Sequence, residues 1–179
     1  MNVFYLSENP KPCAQAHNDS HCVKMILEYC QLLSSAHRFA DGQMVMVPAL
    51  DKSGKQVYLK SGEERTKKHW KLPDDREGTL YLATHINHPS AVWVRLSKQN
   101  YAWLHSLLVE LCQEYTFRYG KTHKCLEIGL VERLSTPPNN IADAPFTAPT
   151  PAMPEECVLE TSLASYRNYY NKFKTHLAS

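Results

Sequence analysis

Six polar side chains recur at helical spacing near the start of the chain. On a wheel that advances 100° per residue, they fall within an arc of about 80° over about five turns. The rest of the wheel is largely apolar, whereas a surface helix usually has a narrow apolar stripe and a broad polar face. We therefore predict one mostly buried helix over 13–38, with a polar stripe that lines a slot: His17, His21, Lys24, Glu28, Gln31 and Ser35.

The stripe contains groups that exchange protons near neutral pH, namely two imidazoles, an ammonium and a carboxylate. His21 precedes Glu28 by seven residues, two turns along the same face, and Lys24 lies one turn before Glu28. A carboxylate and an ammonium beside a histidine can stabilise a cationic sugar intermediate and transfer protons. The alternative is a solvated helix edge with Lys24 and Glu28 as an ordinary ion pair.

Metal and cofactor chemistry fits the sequence less well. His17 and His21 are spaced to share a metal ion, and His85 and His88 could complete its ligands. The ammonium of Lys24 would repel a cation at that place. The chain has only six glycines, and it contains no Gly-rich phosphate loop and no nucleophile elbow. We therefore expect neither a metal nor a cofactor.

The length fits a single domain over 1–179, and the predicted helices indicate a mainly α protein. Hydrophobic residues make up 43% of the chain and charged residues 21%, which is typical of a globular protein. We expect a helical bundle around the long N-terminal helix, which stops near Arg38 before an Asp-Gly turn signal. Two β-prone runs flank a Ser-Gly turn and predict a small hairpin insertion over 43–60. The charge-dense stretch after it is expected to be exposed.

The second half of the chain is organised around a second long helix. Ser97 is predicted to cap it and Gly120 to end it, while Ser90 is a candidate cap for a short helix before it. A shorter helical piece is predicted at 126–134. The proline-rich stretch over 135–160 is expected to wrap across the globule in extended form. Thr161 is a candidate cap for a last helix over 162–178.

Cysteine usage and the absence of targeting signals predict a cytoplasmic protein. None of the six cysteines forms a CxxC pair, which favours reduced thiols in the core. No apolar run approaches the length of a membrane span. The first residues lack the basic and apolar regions of a signal peptide.

Segregated charge and the aromatic C-terminal region favour a nucleic-acid partner. Residues 135–160 contain four acids and no Lys or Arg, whereas 163–179 contain three cations and no acid. Tyr166 to Lys174 interleaves aromatics with cations, as stacking on bases and binding of phosphates require. The alternative is an amphipathic helix whose tyrosines pack on the core. Further candidate binding residues are Asn87, His88, Arg95, Asn100, Tyr101, Arg118, Lys121, His123, Arg167 and Tyr170.

Two sets of motifs resemble known families. Residues 18–29, NDSHCVKMILEY, with the later Asn87-His88-Pro89 and a long amphipathic helix, resemble the pyrimidine-dimer DNA glycosylases of the endonuclease V type. Those small all-α proteins flip out a nucleotide and cleave its glycosidic bond, using a histidine and a glutamate seven residues apart on the first long helix. The whole chain is similar to a set of small tailed-phage proteins that share the motifs HxxKMILE, NHPS, RYGKxH, AMPE and YRNYY.

The glycosylase resemblance implies roles for the stripe. Glu28 would stabilise the developing oxocarbenium ion, and His21 and His17 would position the sugar or phosphate. Dimer glycosylases use the α-amino group of a small residue exposed by removal of the initiator methionine. Because Asn2 is too bulky for ready removal of the methionine, Lys24 is the alternative amine, as either the nucleophile or an anion contact.

We therefore predict a phage protein that performs N-glycosidic bond chemistry on DNA. Two alternatives remain open: a non-catalytic binder that sequesters a nucleotide or a defence signal, and a transferase that modifies DNA bases. A binder should keep a positive slot and tolerate the loss of Glu28. Whichever holds, we predict that His17, His21, Lys24 and Glu28 line one concave pocket with at least two residues of the 84–101 region.

Overall fold

The computed structural model describes residues 1–174, and about half of the chain is helical. The first two helices are α1, Pro10–Ala16, and α2, Asp19–Asp41. The prediction of one uninterrupted helix over 13–38 is wrong, because His17 has an extended backbone with ψ of 133°. The side chain of Asn18 then caps α2 by accepting a hydrogen bond from the His21 N–H. The stripe is therefore divided between a loop and a helix.

A two-stranded antiparallel sheet follows α2. Strand β1, Gln43–Pro48, pairs with β2, Thr66–Lys71, in a register that places Gln43 opposite Lys71. The predicted hairpin over 43–60 is therefore wrong in its second strand, which lies in the charge-dense stretch. The turn that begins at Asp51 does form, but only isolated bridges follow it before a second turn near Gly62. We call residues 43–71 the β-arm.

Buried Arg38 fixes the base of the β-arm to the helices. Its side chain is fully buried and forms an ion pair of 2.6 Å with Glu77 in α3, Arg76–Thr79. It also donates hydrogen bonds to the carbonyls of Trp70, Leu80 and Tyr81. One side chain at the end of α2 therefore joins β2, α3 and the segment that follows α3.

Helix capping follows the sequence closely in the next region. Helix α4 spans Pro89–Val94 and α5 spans Lys98–Tyr119. Ser97 caps α5 and Gly120 ends it with a left-handed φ of 66°, so both predictions are confirmed. The predicted cap at Ser90 is wrong: Pro89 occupies the first turn of α4, and the His88 side chain is the cap.

The remaining helices are short and are joined by the proline-rich stretch. Helices α6, Lys124–Glu127, and α7, Leu130–Arg133, are separated by Gly129 at φ of 82°. Residues 135–160 have no helix except a 3-10 turn at Glu155–Cys157. Thr161 caps α8, Ser162–Tyr169, which continues as a π-helical turn, Tyr170–Lys174. The predicted helix beyond residue 174 lies outside the described residues.

The core forms mainly where α2 packs on α5. Met25, Ile26 and Leu33 of α2, with Leu104 and Leu108 of α5, are at most 1% exposed. All six cysteines are buried and free, which confirms the prediction of core thiols without disulfides. Within residues 1–174, no helix combines the length and the apolar character that a membrane crossing requires.

Candidate functional site

Two neighbouring cavities meet at Glu28. The first has a volume of about 480 Å³ and lies between α2 and residues 81–85. The second has a volume of about 510 Å³ and lies between α2 and the region of α6. Glu28, Gln31 and Tyr81 line both cavities. A carboxylate at this junction can contact a ligand that occupies either cavity or both.

The Glu28 carboxylate has an amine on each side. The α-amino nitrogen of Met1 lies 3.5 Å from Oε2, and Lys24 Nζ lies 3.3 Å from Oε1. The side chains of Met1 and Glu28 are 7% and 15% exposed, whereas that of Lys24 is 62% exposed. The Met1 amine is therefore on the buried side of the carboxylate, and the Lys24 amine is on the solvent side.

The first residues of the chain hold Met1 against α2. Residues 3–6 are buried in the core. The Asn2 side chain donates to the Ala152 carbonyl at 2.8 Å and accepts from the Tyr166 hydroxyl at 2.7 Å. The proline-rich stretch and α8 thereby fix the backbone next to the Met1 amine.

A turn anchored on α2 forms the opposite wall of the first cavity. The Thr84 backbone N–H donates to the Ser35 hydroxyl at 3.1 Å. His85 has a left-handed φ of 48°, and it is the one non-glycine residue with positive φ within residues 1–174. Its exposed imidazole has Nδ1 2.7 Å from the Thr84 hydroxyl. Such backbone conformations are costly, and they cluster at functional sites.

His88 contributes a second imidazole near this wall. Its Nδ1 accepts a hydrogen bond of 3.1 Å from the Ser90 N–H, so the proton of the neutral ring is on Nε2. Burial lowers the pKa of His88, and the positive charge of the Met1 amine and His85 lower it further. These effects favour the neutral imidazole beside the amine.

The second cavity has apolar walls and cations at its rim. Val23, Leu27 and Ile128 line it and are 46%, 39% and 60% exposed. The wheel predicts burial for Val23 and Leu27, but the adjoining α6 is a single short turn and leaves them open. Lys24 and Lys124 also line this cavity. This composition suits a planar apolar group that carries negative charge nearby.

His17 lies outside both cavities and is 2% exposed. Its Nδ1 lies 2.7 Å from the Cys13 carbonyl, so Nδ1 carries the proton. Its Nε2 then accepts from the Tyr29 hydroxyl at 2.7 Å, and that hydroxyl accepts from the Phe4 N–H. Both nitrogens of the ring are therefore used within the core.

His21 is also covered by other elements and is 4% exposed. It stacks on Phe4 with 4.3 Å between ring centroids, and its Nδ1 lies 2.9 Å from the Tyr170 hydroxyl. The prediction that both histidines line the pocket is wrong, because the N-terminal segment and the C-terminal helix cover this end of the stripe. The prediction that residues of 84–101 join Glu28 is confirmed by Thr84 and His85.

Two further candidate residues serve packing. Asn100 is fully buried, and its side-chain amide donates to the Thr147 hydroxyl at 3.0 Å. Tyr101 is fully buried too, and its hydroxyl donates to the Leu134 carbonyl at 2.6 Å. Neither side chain lines the two cavities at Glu28, and both instead fix loops onto α5.

The aromatic C-terminal segment also faces inward. Tyr166 and Tyr170 are 0% and 8% exposed. The Arg167 guanidinium donates to the Leu6 carbonyl at 3.0 Å, and the Tyr170 hydroxyl accepts from the Asn18 N–H at 2.7 Å. The alternative interpretation, an amphipathic helix packed on the core, therefore describes these three side chains.

Arg118 does not line the two cavities at Glu28, but it binds a residue of a third cavity, which lies between α1 and α5. It donates to Glu114 at 2.9 Å and to Asp19 at 3.1 Å. Glu114 lines the third cavity, which has a volume of about 540 Å³. Because this carboxylate is already bound by a guanidinium, the cavity offers less chemistry than the junction at Glu28.

The remaining candidates lie close to the site or on its border. His123 lines the second cavity, and its Nδ1 caps α6 by accepting from the Cys125 N–H at 3.1 Å. Arg95 donates to the carbonyl of Ile86, the residue after His85, at 2.5 Å. Asn87 and Lys121 are exposed.

Sequence reasoning missed Met1 and Tyr81 at this site, and it predicted Thr84 and His85 only as members of the range 84–101, because none of these residues belongs to the helical stripe. The apolar start of the chain was the available signal, because a buried N-terminal segment brings the first amine into the core. Within residues 1–174, no group of three or more His, Cys, Asp or Glu side chains could hold a metal ion.

Comparisons with protein-family models, with curated proteins and with solved structures find no match to this chain. The resemblance to dimer glycosylases therefore stays a prediction, and any function proposed for the chain depends on the geometry at Glu28.

Proposed function

We propose that this protein acts on the N-glycosidic bond of a nucleotide in DNA, with Glu28 as the catalytic carboxylate. The observation that carries the proposal is the half-buried carboxylate at the junction of two cavities, with the Met1 amine at 3.5 Å and the Lys24 amine at 3.3 Å. A sugar whose C1′ lies at this junction would have a nucleophile and a stabilising negative charge on the same side.

The reaction follows from these groups. The Met1 ammonium loses a proton, with Glu28 as the adjacent acceptor, and the free amine attacks C1′. The C1′–N bond to the base breaks, and the base leaves with the electron pair and takes up the proton that Glu28 accepted, so that Glu28 is again a carboxylate. Glu28 then accepts a proton from the amine bound to C1′ and passes it to O4′ as the C1′–O4′ bond breaks, which gives a protonated imine between C1′ and the amine. The negative charge of the regenerated carboxylate stabilises the positive charge that develops on the sugar.

The cavities divide the substrate in this proposal. The apolar second cavity, with Leu27 and Ile128 in its wall, would hold the base, and Lys24 and Lys124 would contact phosphates. The first cavity, with Thr84 and His85, would hold the sugar. A base must leave the duplex stack, or come from a single strand, to reach this position.

Glu28→Gln tests the proposal directly. The substitution keeps the size and hydrogen-bonding ability of the side chain but removes its charge. We expect the rate of base release to fall by about two to three orders of magnitude, with DNA affinity little changed. The assay incubates the protein with damaged and modified oligonucleotides and measures the released base. Turnover that survives Glu28→Gln unchanged would show that the carboxylate is not catalytic.

Borohydride trapping identifies the amine. Reduction of the imine links the DNA covalently to the protein, and mass spectrometry locates the linked residue. We expect the link at Met1, and we expect it to persist in Lys24→Ala. Two residues added before Met1 should abolish it. A link that is lost in Lys24→Ala would assign the nucleophile to Lys24, and tight nucleotide binding without any turnover would favour the sequestering alternative.

A further inference from the structure

The β-arm carries an excess of positive charge. Residues 43–71 contain seven cationic and three acidic side chains, while the rest of the chain has 13 cations and 15 acids. All seven cations are exposed, and none of them takes part in an ion pair within residues 1–174. All seven cationic side chains of the β-arm are therefore available to an anionic partner.

One face of the β-arm combines apolar side chains with this charge. The strand register places Met44 opposite Trp70 and Met46 opposite Lys68, and such cross-strand pairs share a face of the sheet. Met44 and Met46 are 46% and 54% exposed. Large exposed apolar side chains beside a cation are typical of a binding surface.

This face continues onto α2 toward the candidate site. Phe39 is 41% exposed, and the centroid of its ring lies 6.4 Å from that of Trp70. The Arg95 guanidinium carbon lies 3.9 Å from the centroid of the Phe39 ring. Phe39 follows Glu28 by 11 residues, or about three turns and 16 Å along one face of the helix. Between them this face of α2 is covered, because Ser35 is 1% exposed and accepts a hydrogen bond from the Thr84 N–H. A ligand on the β-arm would therefore reach Glu28 across the segment that contains Thr84, where Leu82 and His85 are exposed.

We propose that this face, formed by Phe39, Met44, Met46, Lys68 and Trp70, binds a single-stranded segment of DNA that leads to Glu28. Aromatic and apolar side chains stack on unpaired bases, while cations contact the phosphates. A duplex would present its phosphates to the cations but keep its bases away from the apolar face. The face therefore favours single-stranded DNA over a duplex. The proposal that this strand leads to Glu28 rests on the glycosidic function proposed above.

Binding of labelled single-stranded and duplex oligonucleotides of one sequence tests the surface. The arm variant is Lys60→Glu with Lys68→Glu. The matched control is Lys11→Glu with Lys172→Glu, which makes the same charge change at two exposed lysines outside the β-arm. At about 50 mM salt, we expect the arm variant to weaken single-strand binding at least about tenfold and the control by less than about twofold. The salt slope should fall by about 1.4 in the arm variant, because each phosphate that a lysine neutralises contributes about 0.7.

Phe39→Leu tests the stacking contact separately from charge. It keeps an apolar side chain but removes the ring, so single-strand affinity should fall about fivefold or more with an unchanged salt slope. Equal weakening by the arm and control variants would overturn the assignment to the β-arm. Tighter binding of the duplex than of the single strand, or no binding of either at low salt, would overturn the proposed partner.

The two proposals fail in different ways. Binding needs no turnover, so a β-arm that binds single strands in a protein without base release would support the surface and refute the glycosidic reaction. Base release that depends on Glu28 but is unchanged in the arm variant, with unchanged binding, would refute the surface alone.

Discussion

One face of α2 contains two regions whose side chains are chemically alike and whose environments are opposite. At its start, His21 lies beneath the N-terminal segment and the C-terminal helix, as does His17 just before it, and both rings contact tyrosine hydroxyls. Two turns later, Glu28 faces two cavities and contacts two amines. The difference teaches that the elements packed over a polar stripe, and not its residue types, decide which part can meet a ligand.

We call the covered region at His17 and His21 the closed region, and the region at Glu28 the open region. The closed region should have its largest effect on the pH dependence of stability. Burial lowers the pKa of His17 to about 4 from its ordinary 6.5, so the folded protein keeps this ring neutral where the unfolded chain binds a proton. The free energy of unfolding should therefore fall as the pH drops from 6.5 to 4, by about 3 kcal/mol from this ring. Urea unfolding at a series of pH values measures the effect.

A comparison with His17→Gln isolates the contribution of this ring. The variant should lose about one proton's worth of slope between pH 4 and 6.5, whatever its absolute stability. His37, whose pKa burial also lowers to about 4, and His88, whose pKa burial also lowers, are untouched by the change and contribute to the remaining slope. Equal slopes in the two proteins would mean that His17 is accessible to protons in the folded state, and the contrast between the two regions would be lost.

The second prediction concerns a single hydroxyl in the closed region. Tyr29→Phe removes the donor to His17 Nε2 and the acceptor for the Phe4 N–H, and it leaves both groups buried. We expect a loss of about 1–3 kcal/mol in the free energy of unfolding. Gln31→Ala in the open region is the matched comparison and should cost less than about 0.5 kcal/mol. Similar losses in both variants would contradict the contrast between the closed and the open region.

Much of the helical framework could be predicted because its signals are local. Ser97 and Gly120 mark the ends of α5 through hydrogen bonds and a φ angle that involve only neighbouring residues. The cap at Asn18 was missed, and with it the break between α1 and α2, because the apolar pattern runs through the break. The second strand of the β-arm was missed because its pairing is not local. Its partner strand, β1, precedes it by a long connection that contains two turns.

The site could be predicted residue by residue only in the part that belongs to α2, and the wall from 84–101 only as a range. Glu28, Gln31 and Lys24 share a helical face, so spacing alone brings them together. Met1 and Thr84 reach the same place through long-range contacts, such as those of Asn2 with Ala152 and of Ser35 with Thr84. No local pattern encodes such contacts, and for the same reason the burial of His17 and His21 was not foreseen.

The smallest expected effect belongs to the solvent side of the site. Lys24 is 62% exposed and pairs with Glu28 across one turn of α2, so water screens the pair and its side chain loses entropy when held in place. Lys24→Ala should therefore change the free energy of unfolding by less than about 0.5 kcal/mol. Urea unfolding at low and moderate salt provides the measurement. A loss above about 1 kcal/mol would mean that Lys24 is part of a buried network, and then the open region would be held together as tightly as the closed one.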